Sequence, residues 1–385
     1  MSSPPSQSSQ QVSIEPIACT RRSIKEFYQV PFALYKETPQ WVAPFYGEFR
    51  EFFSNKNRLW DHAECCLFLA YKDGIVVGRI AAIIDQLYVK LVGTKIGFFG
   101  FFECIDDFAC AQALFKAAEQ WLSAKDVVVM RGPVDGRIDI GCGFLIQGFD
   151  APQSLLATYS PPYYTRFAEQ YGLQKTKDLL TYKVDLTQPL PAKLEEKAKQ
   201  CLDAGIRLRP FNRLRAGKEL EWWVDLFLET FQGHWGFVPV SAGEVRGRFG
   251  IRQIRWFVDT RLFQVAESQG RPIAYLWATP DYNEVFRALH GHLGLRGLML
   301  FELRKGKIMT GKLQLIGIRN DFRDKAVASC LNHAMFVEMQ RRGYRYAEIG
   351  WIDEENRAAR NTMAVTGAMV FKVHRVYEKS LQVVP

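Results

Sequence analysis

Paired cysteines at Cys-x-x-Cys spacing are missing from this chain. Its eight cysteines (Cys19, Cys65, Cys66, Cys104, Cys110, Cys142, Cys201 and Cys330) are scattered, which argues against a zinc knuckle and reads as reduced, mostly core residues. Histidine is scarce, and His290-Gly-His292 has no third ligand nearby in the sequence, so no metal site is expected. No uncharged apolar run reaches the ~18–20 residues that span a bilayer; Arg79 interrupts the best candidate, GIVVGRIAAII. The opening MSSPPSQSSQQ holds no apolar segment, so residues 1–12 are expected to be a disordered tail and not a signal peptide. These absences point to a cytoplasmic protein without membrane insertion. Long basic runs are absent too. The net charge of +9 is dispersed, with RLRPFNRLR (Arg207 to Arg215) the densest cluster. No DNA partner is expected, whereas a phosphorylated cofactor, an acidic carrier protein or tRNA would suit the basic balance.

What is present is a chain written twice. FLAYKDGIVVGRIAAIID and FQVAESQGRPIAYLWATPD both read as two alternating runs joined at a tight turn, and their turn glycines, Gly74 and Gly270, lie 196 positions apart. The closing segments GLQKTKDLLTYKVDL and GAMVFKVHRVYEKSL start at Gly172 and Gly367, 195 apart, and Tyr182 and Tyr377 keep that offset. Opening and closing matches at nearly one offset indicate duplication. The first half is expected to run as a helical lead-in (23–35), the hairpin, a strand KIGFFGFFECI, a helix 109–124, a strand DVVVMRG, a glycine-rich excursion to Pro162, a helix near 164–171 and closing strands. The second half is expected to hold helices at 219–231 and 242–249, the hairpin, an inserted helix near 283–292, a strand KLQLIGI, a helix 325–341, a strand YAEIGW, a helix 356–366 and closing strands. This order gives an α/β class with mixed sheets. The domains expected are 13–190 and 191–385.

Within LIGIRNDFRDKAVASCL an apolar strand breaks into a polar turn and becomes helical, yet no glycine lies between Arg323 and Leu331. A helix start with free backbone N–H groups suits a pyrophosphate. Glycines ease close backbone approach. Alanines at 326 and 328 are the least obstructive substitutes, and Arg323 and Lys325 add positive charge while Asp324 opposes it. An ordinary strand–loop–helix corner fits the same residues.

This order, with IGIRNDFRDKAVA and the run from Asn356 to Gly367, resembles the GNAT superfamily of N-acetyltransferases, most clearly over 263–381. GFFGFFECIDD, RGPVD, GFDAP and YSPPYYTRFAEQYGLQKTKDLLTY extend the resemblance over the whole chain to a bacterial group of tandem GNAT-like proteins. The resemblance implies two tandem acyl-CoA N-acyltransferase-like domains. It also implies transfer from acetyl-CoA or another acyl-CoA to a small-molecule or other amine acceptor. Carried onto this chain, the cofactor positions are Ile316, Ile318, Arg323, Asp324, Lys325, Ala326, Val327, Ala328, Asn356 and Arg360. Met363 stands where the family commonly has a tyrosine that protonates the leaving thiolate.

Direct acyl transfer needs a base for the amine and often an acid for the thiolate. Glu348 on YAEIGW is the candidate base, and Tyr377 the candidate replacement acid. Glu348 could equally face solvent, Tyr377 could simply pack its strand, and Asn356 could do no more than cap a helix. Glu103, at the end of GFFGFF, is either a carboxylate of shifted pKa or a partner for a neighbour. Tyr163 and Tyr164 either line an acceptor pocket or pack the core. The first half, lacking a basic loop at Asp107–Leu114, is expected to be structural or to help hold the acceptor. Two alternatives remain at this level: a donor carried on acyl carrier protein or aminoacyl-tRNA, and a non-catalytic binding protein on the same fold.

Overall fold

A computed structural model of the protein describes residues 12–238, 243 and 259–382. The expected tail at 1–12 and the helix expected at 242–249 lie almost wholly outside these residues. The chain divides into two compact units, one of Met1–Phe144, Leu156–Thr176 and Arg375–Pro385, the other of Leu145–Leu155 and Lys177–His374. They interleave, where a single cut near residue 190 was expected.

The first unit is built from strands β1 (Ser13–Ile17), β2 (Ala63–Lys72), β3 (Ile75–Asp85), β4 (Ile96–Cys104) and β5 (Val129–Gly132). Its helices are α1 (Arg21–Leu34), α2 (Tyr46–Phe52), α3 (Gln86–Val92), α4 (Phe108–Ser123) and α5 (Tyr163–Gln170). The β2–β3 turn has Asp73 at φ 54° and Gly74 at φ 74°, the paired positive angles that fit the right-handed twist of a hairpin. Asp107 caps α4 by accepting from the Ala109 amide at 2.9 Å, so this helix starts where its cap dictates. The apolar face of α4 packs on the sheet through Phe115, whose ring stacks on Phe102 with centroids 4.5 Å apart.

The second unit begins with β6 (Phe144–Gln147), continues from Lys177 in β7 (Gln174–Asp185) and then holds α6 (Ala192–Asp203), β8 (Arg207–Pro210) and α7 (Ala216–Phe231). Next come β9 (Phe263–Ser268), β10 (Arg271–Pro280), α8 (Asn283–Phe286), α9 (Leu295–Arg304) and β11 (Thr310–Ile318). The last elements are α10 (Val327–Arg341), β12 (Tyr346–Asp353), α11 (Arg357–Thr366) and β13 (Met369–Ser380). The sheet order is β7-β12-β11-β10-β9-β8. The β9–β10 turn repeats the first hairpin, with Gln269 at φ 51° and Gly270 at φ 75°. Strand alternation then sorts β10 to two cores. Ala274 and Leu276 join Phe336 and Met339 of α10, whereas Tyr275 joins Trp223 and Phe227 of α7. Each such fully buried large side chain contributes roughly 1.5–3 kcal/mol.

Two expectations are corrected here. The inserted helix near 283–292 is one short turn, α8, followed by a 3₁₀ turn and His290 in the left-handed region; the longer helix of the insertion is α9. The helix expected from Lys325 starts at Val327, because Ala326 takes φ 55° and breaks the winding. All eight cysteines are free; Cys19 is exposed and not in the core.

Candidate functional site

The central strands of the second unit part company at one point. Parallel β11–β12 pairing runs from Thr310–Tyr346 to Leu313–Ile349 and stops. Beyond it β11 keeps its bonds to β10 as far as Ile318, and β12 keeps its bonds to β7 as far as Asp353. The strands have splayed. Gly350, the first β12 residue past the divergence, sits at φ +132°, and a Cβ there would lie 2.8 Å from the Leu180 carbonyl oxygen. Only glycine fits this bend.

At the head of β11 the chain makes a 3₁₀ turn, Asn320–Phe322, and then carries Arg323, Asp324 and Lys325, all exposed. Ala326, in the left-handed region, directs the chain into α10 and offers no side-chain cap. Among the described residues the amides of Ala326, Val327, Ala328 and Ser329 donate no hydrogen bond, and the first amide to do so is Cys330, to the Ala326 carbonyl at 3.0 Å. Unused donors at the positive end of a fifteen-residue helix are the kind of group that can hold an anion. Arg323 is also close enough to His234, just past α7, to act on it: burial first, then the Arg323 charge, lowers the His234 pKa, while Asp353 opposes the shift. Ile316 is 39% exposed on β11, Ile318 is half-buried, and their alternation puts them on one face.

Glu348 stands in the last but one paired position before the splay and is buried. Its neighbours in register are Lys183 on β7 and Lys312 on β11, so charges line the face opposite Ala347 and Ile349. Ser154 donates to Glu348 Oε2 at 2.5 Å, and Lys372 Nζ donates to Ser154 Oγ at 2.9 Å and to the Pro152 carbonyl. Lys312 Nζ lies 3.9 Å from Glu348. Asp281 accepts from the amides of Leu155 at 3.2 Å and Asn283 at 3.0 Å, and the Asn283 side chain donates to the Gln153 carbonyl. Burial, with the Glu348 charge, pushes Asp281 up to about 7. Burial pushes Lys372 down to about 8 against the pull of Glu348. The arrangement is a buried carboxylate fixed by a hydroxyl and flanked by two ammonium groups.

The remaining sequence candidates separate. Asn356 caps α11, accepting from the Ala359 amide at 3.1 Å. Arg360 donates to the Glu354 carbonyl at 2.9 Å and, with Arg357 and Asn361, lines an open groove. Met363 is buried in the α10 core. Tyr377 belongs to the first unit, where its ring is buried beside Phe144 and its hydroxyl donates to Glu169 at 3.1 Å. That environment is the packing role. In the first unit Glu103 Oε2 accepts from Tyr35 at 2.6 Å and Tyr164 at 2.8 Å, and Tyr163 donates to the Cys104 carbonyl. Among the described residues no three metal-ligating groups cluster. Lys312, Lys372, Ser154, Asp281 and His234 were missed from sequence. One signal was available: Lys177 and Lys372 keep the duplication offset of 195 in the closing strands, and both are buried.

No protein-family model matches the chain. Over 371 residues it is 32% identical to Protein YghO of Escherichia coli (strain K12), with 94% of each chain covered. Over 370 residues it is 30% identical to the bacterial ceramide synthase of Caulobacter vibrioides (strain NA1000 / CB15N), covering 94% of this chain and 96% of that one. The chain belongs to their family. Among solved structures, the tandem GNAT protein from the clavulanic acid biosynthesis pathway superposes with a TM-score of 0.56 at 12% identity, over 97% of this chain and 100% of that chain. The family fold is thus the tandem GNAT fold, and the splay, the loop and α10 occupy the second of its two copies.

Proposed function

We propose that the protein is an N-acyltransferase that joins the acyl group of an acyl-CoA to the amine of a sphingoid base. The observation that carries the donor half is the set of four unused amides at Ala326–Ser329, flanked by Arg323 and Lys325, where β11 leaves β12. Those donors and the helix dipole suit a pyrophosphate, and a pantetheine arm would take up backbone bonds left open by the splay. Support for the acceptor half is the 30% identity, over 94% of the chain, to a bacterial ceramide synthase. A ceramide is the amide of a fatty acid with a sphingoid amine.

In the proposed step the amine nitrogen attacks the thioester carbonyl carbon. The C–N bond forms, the C–S bond breaks with its electron pair, and the sulfur ends as the CoA thiol. Glu348 accepts the proton lost by nitrogen, and the departing sulfur takes up one proton, from Glu348 or from water that Glu348 then reprotonates. Ser154 and Lys372 hold that carboxylate in place and act through it.

The experiment is to incubate purified protein with acyl-CoA of graded chain length and sphinganine, reading amide by mass spectrometry and free thiol in parallel. Both products should appear together. Arg323→Ala should weaken acyl-CoA binding about tenfold or more, as expected for loss of a charge-assisted contact. Amide formed only from an acyl carrier protein thioester would overturn the donor assignment. Thiol release with other amines and not with sphinganine would overturn the acceptor.

A further inference from the structure

The insertion between β10 and β11 has a fixed base and an uncovered tip. At its base Glu284 accepts from the amides of Met309 at 2.9 Å and Thr310 at 2.8 Å, closing the loop on itself. Phe301 holds α9 from beneath, its ring 5.6 Å from Tyr282 and 5.9 Å from Phe286. Among the described residues none packs over the other side, and α9 has no buried residue. Leu293, Leu295, Leu298, Met299, Leu303 and Met309 are all exposed, Leu295 to 88%. Six large apolar side chains facing water within seventeen residues differ from the single exposed leucines normal on any surface. Leu295, Leu298, Met299 and Leu303 recur at three- and four-residue spacing, so they form one stripe along the helix.

Charge decides between occupants. Arg296, Arg304, Lys305 and Lys307 flank the stripe and are exposed, against one acid, Glu302, which pairs with Lys305 at 2.5 Å. A segment of net +3 around an apolar stripe matches an anionic bilayer surface, which supplies apolar depth and negative headgroups together. A second copy of the same cationic segment would be repelled. No helix among the described residues is long and apolar enough to cross a membrane, so the contact is peripheral.

We propose that α9 and its flanks dock the protein on anionic lipid bilayers, with the apolar stripe seated at the headgroup–acyl boundary. This rests on exposure and charge alone, so it stands or falls apart from the acyl-transfer reading; where both hold, docking brings a lipid acceptor within reach of the enzyme.

The experiment is flotation of the full-length protein with phosphatidylcholine vesicles, with and without phosphatidylglycerol. Binding should require phosphatidylglycerol and weaken with salt. The triple variant Leu298→Ser, Met299→Ser, Leu303→Ser should lower partitioning at least about tenfold, since each change withdraws apolar area from the boundary. The triple variant Arg304→Glu, Lys305→Glu, Lys307→Glu should do the same by removing the electrostatic part. Both sets are exposed, and unchanged thermal unfolding verifies the fold. Failure of the wild type to bind either vesicle, or equal binding by both variants, would overturn the proposal. So would a dimer in sedimentation that dissolves in the serine variant without any vesicle binding.

Discussion

The helix after the splayed strand starts in opposite ways in the two units. In the first, β4 and β5 pair from Ile96–Val129 to Phe98–Arg131 and then separate, but the Asp107 side chain occupies the start of α4. Its bond from Lys72, then the amides of Ala109 and Cys110, hold its carboxyl below the usual range. An anion arriving there would meet a carboxylate and donors already taken. In the second, Ala326 has no side chain to offer and the donors stay open beside two cations. The carboxylates near each splay differ likewise. Glu103 is locked by two tyrosine hydroxyls with Arg79 3.6 Å away, whereas Glu348 is held by one serine among lysines. One fold was copied, and we propose that the second copy carries the chemistry and that the first is its structural counterpart without cofactor.

The sharpest way to break this comparison is to neutralise each carboxylate in turn. Glu348→Gln should lower kcat by about 10²–10⁴, the usual worth of a positioned base. Glu103→Gln should leave kcat near wild type. Equal losses in both variants, with unfolding midpoints matched, would contradict the assignment of roles.

A stability measurement sharpens the same contrast. Burial pushes Glu103 up to about 7 and Asp135 up to about 6. These carboxyls hold protons more tightly folded than unfolded. Stability from the first unit should therefore fall as pH rises from about 4 through about 7, then level off. Glu103 alone accounts for a drop on the order of 3 kcal/mol, which Glu103→Gln should remove. Urea denaturation across that range checks it, and a flat profile in the wild type would count against the buried pair.

The smallest effect concerns the helix starts themselves. Ala326→Gly should stabilise the second unit by about 0.5–1 kcal/mol by relieving the left-handed alanine. Asp107→Ala should cost the first about 1 kcal/mol through its lost cap. Unfolding midpoints moving the other way would show that the two starts are not what distinguishes the units.

Much of this was legible in the chain because it is local. The hairpins are marked by Asp73-Gly74 and Gln269-Gly270, α4 by its cap, and the loop before α10 by a strand that turns polar at Arg319. What escaped reading depends on distant segments. Ser154, Asp281, Lys312 and Lys372 come from separate stretches that only folding assembles. Tyr377 repeats Tyr182 in sequence, yet the end of β13 belongs to the first unit, which no repeat pattern reveals. The helix α9 was missed because its apolar residues face outward, so that its pattern does not mark a core.

The central claim is that the amides opening α10 bind the donor's pyrophosphate. Hydrogen exchange read by mass spectrometry, with and without saturating CoA, tests it directly. The account predicts slowed exchange in peptides spanning Arg323 to Leu331 and no change in those spanning Asp107 to Leu114. Unchanged exchange at Arg323 to Leu331 under CoA saturation, or slowing at Asp107 to Leu114 instead, would contradict it.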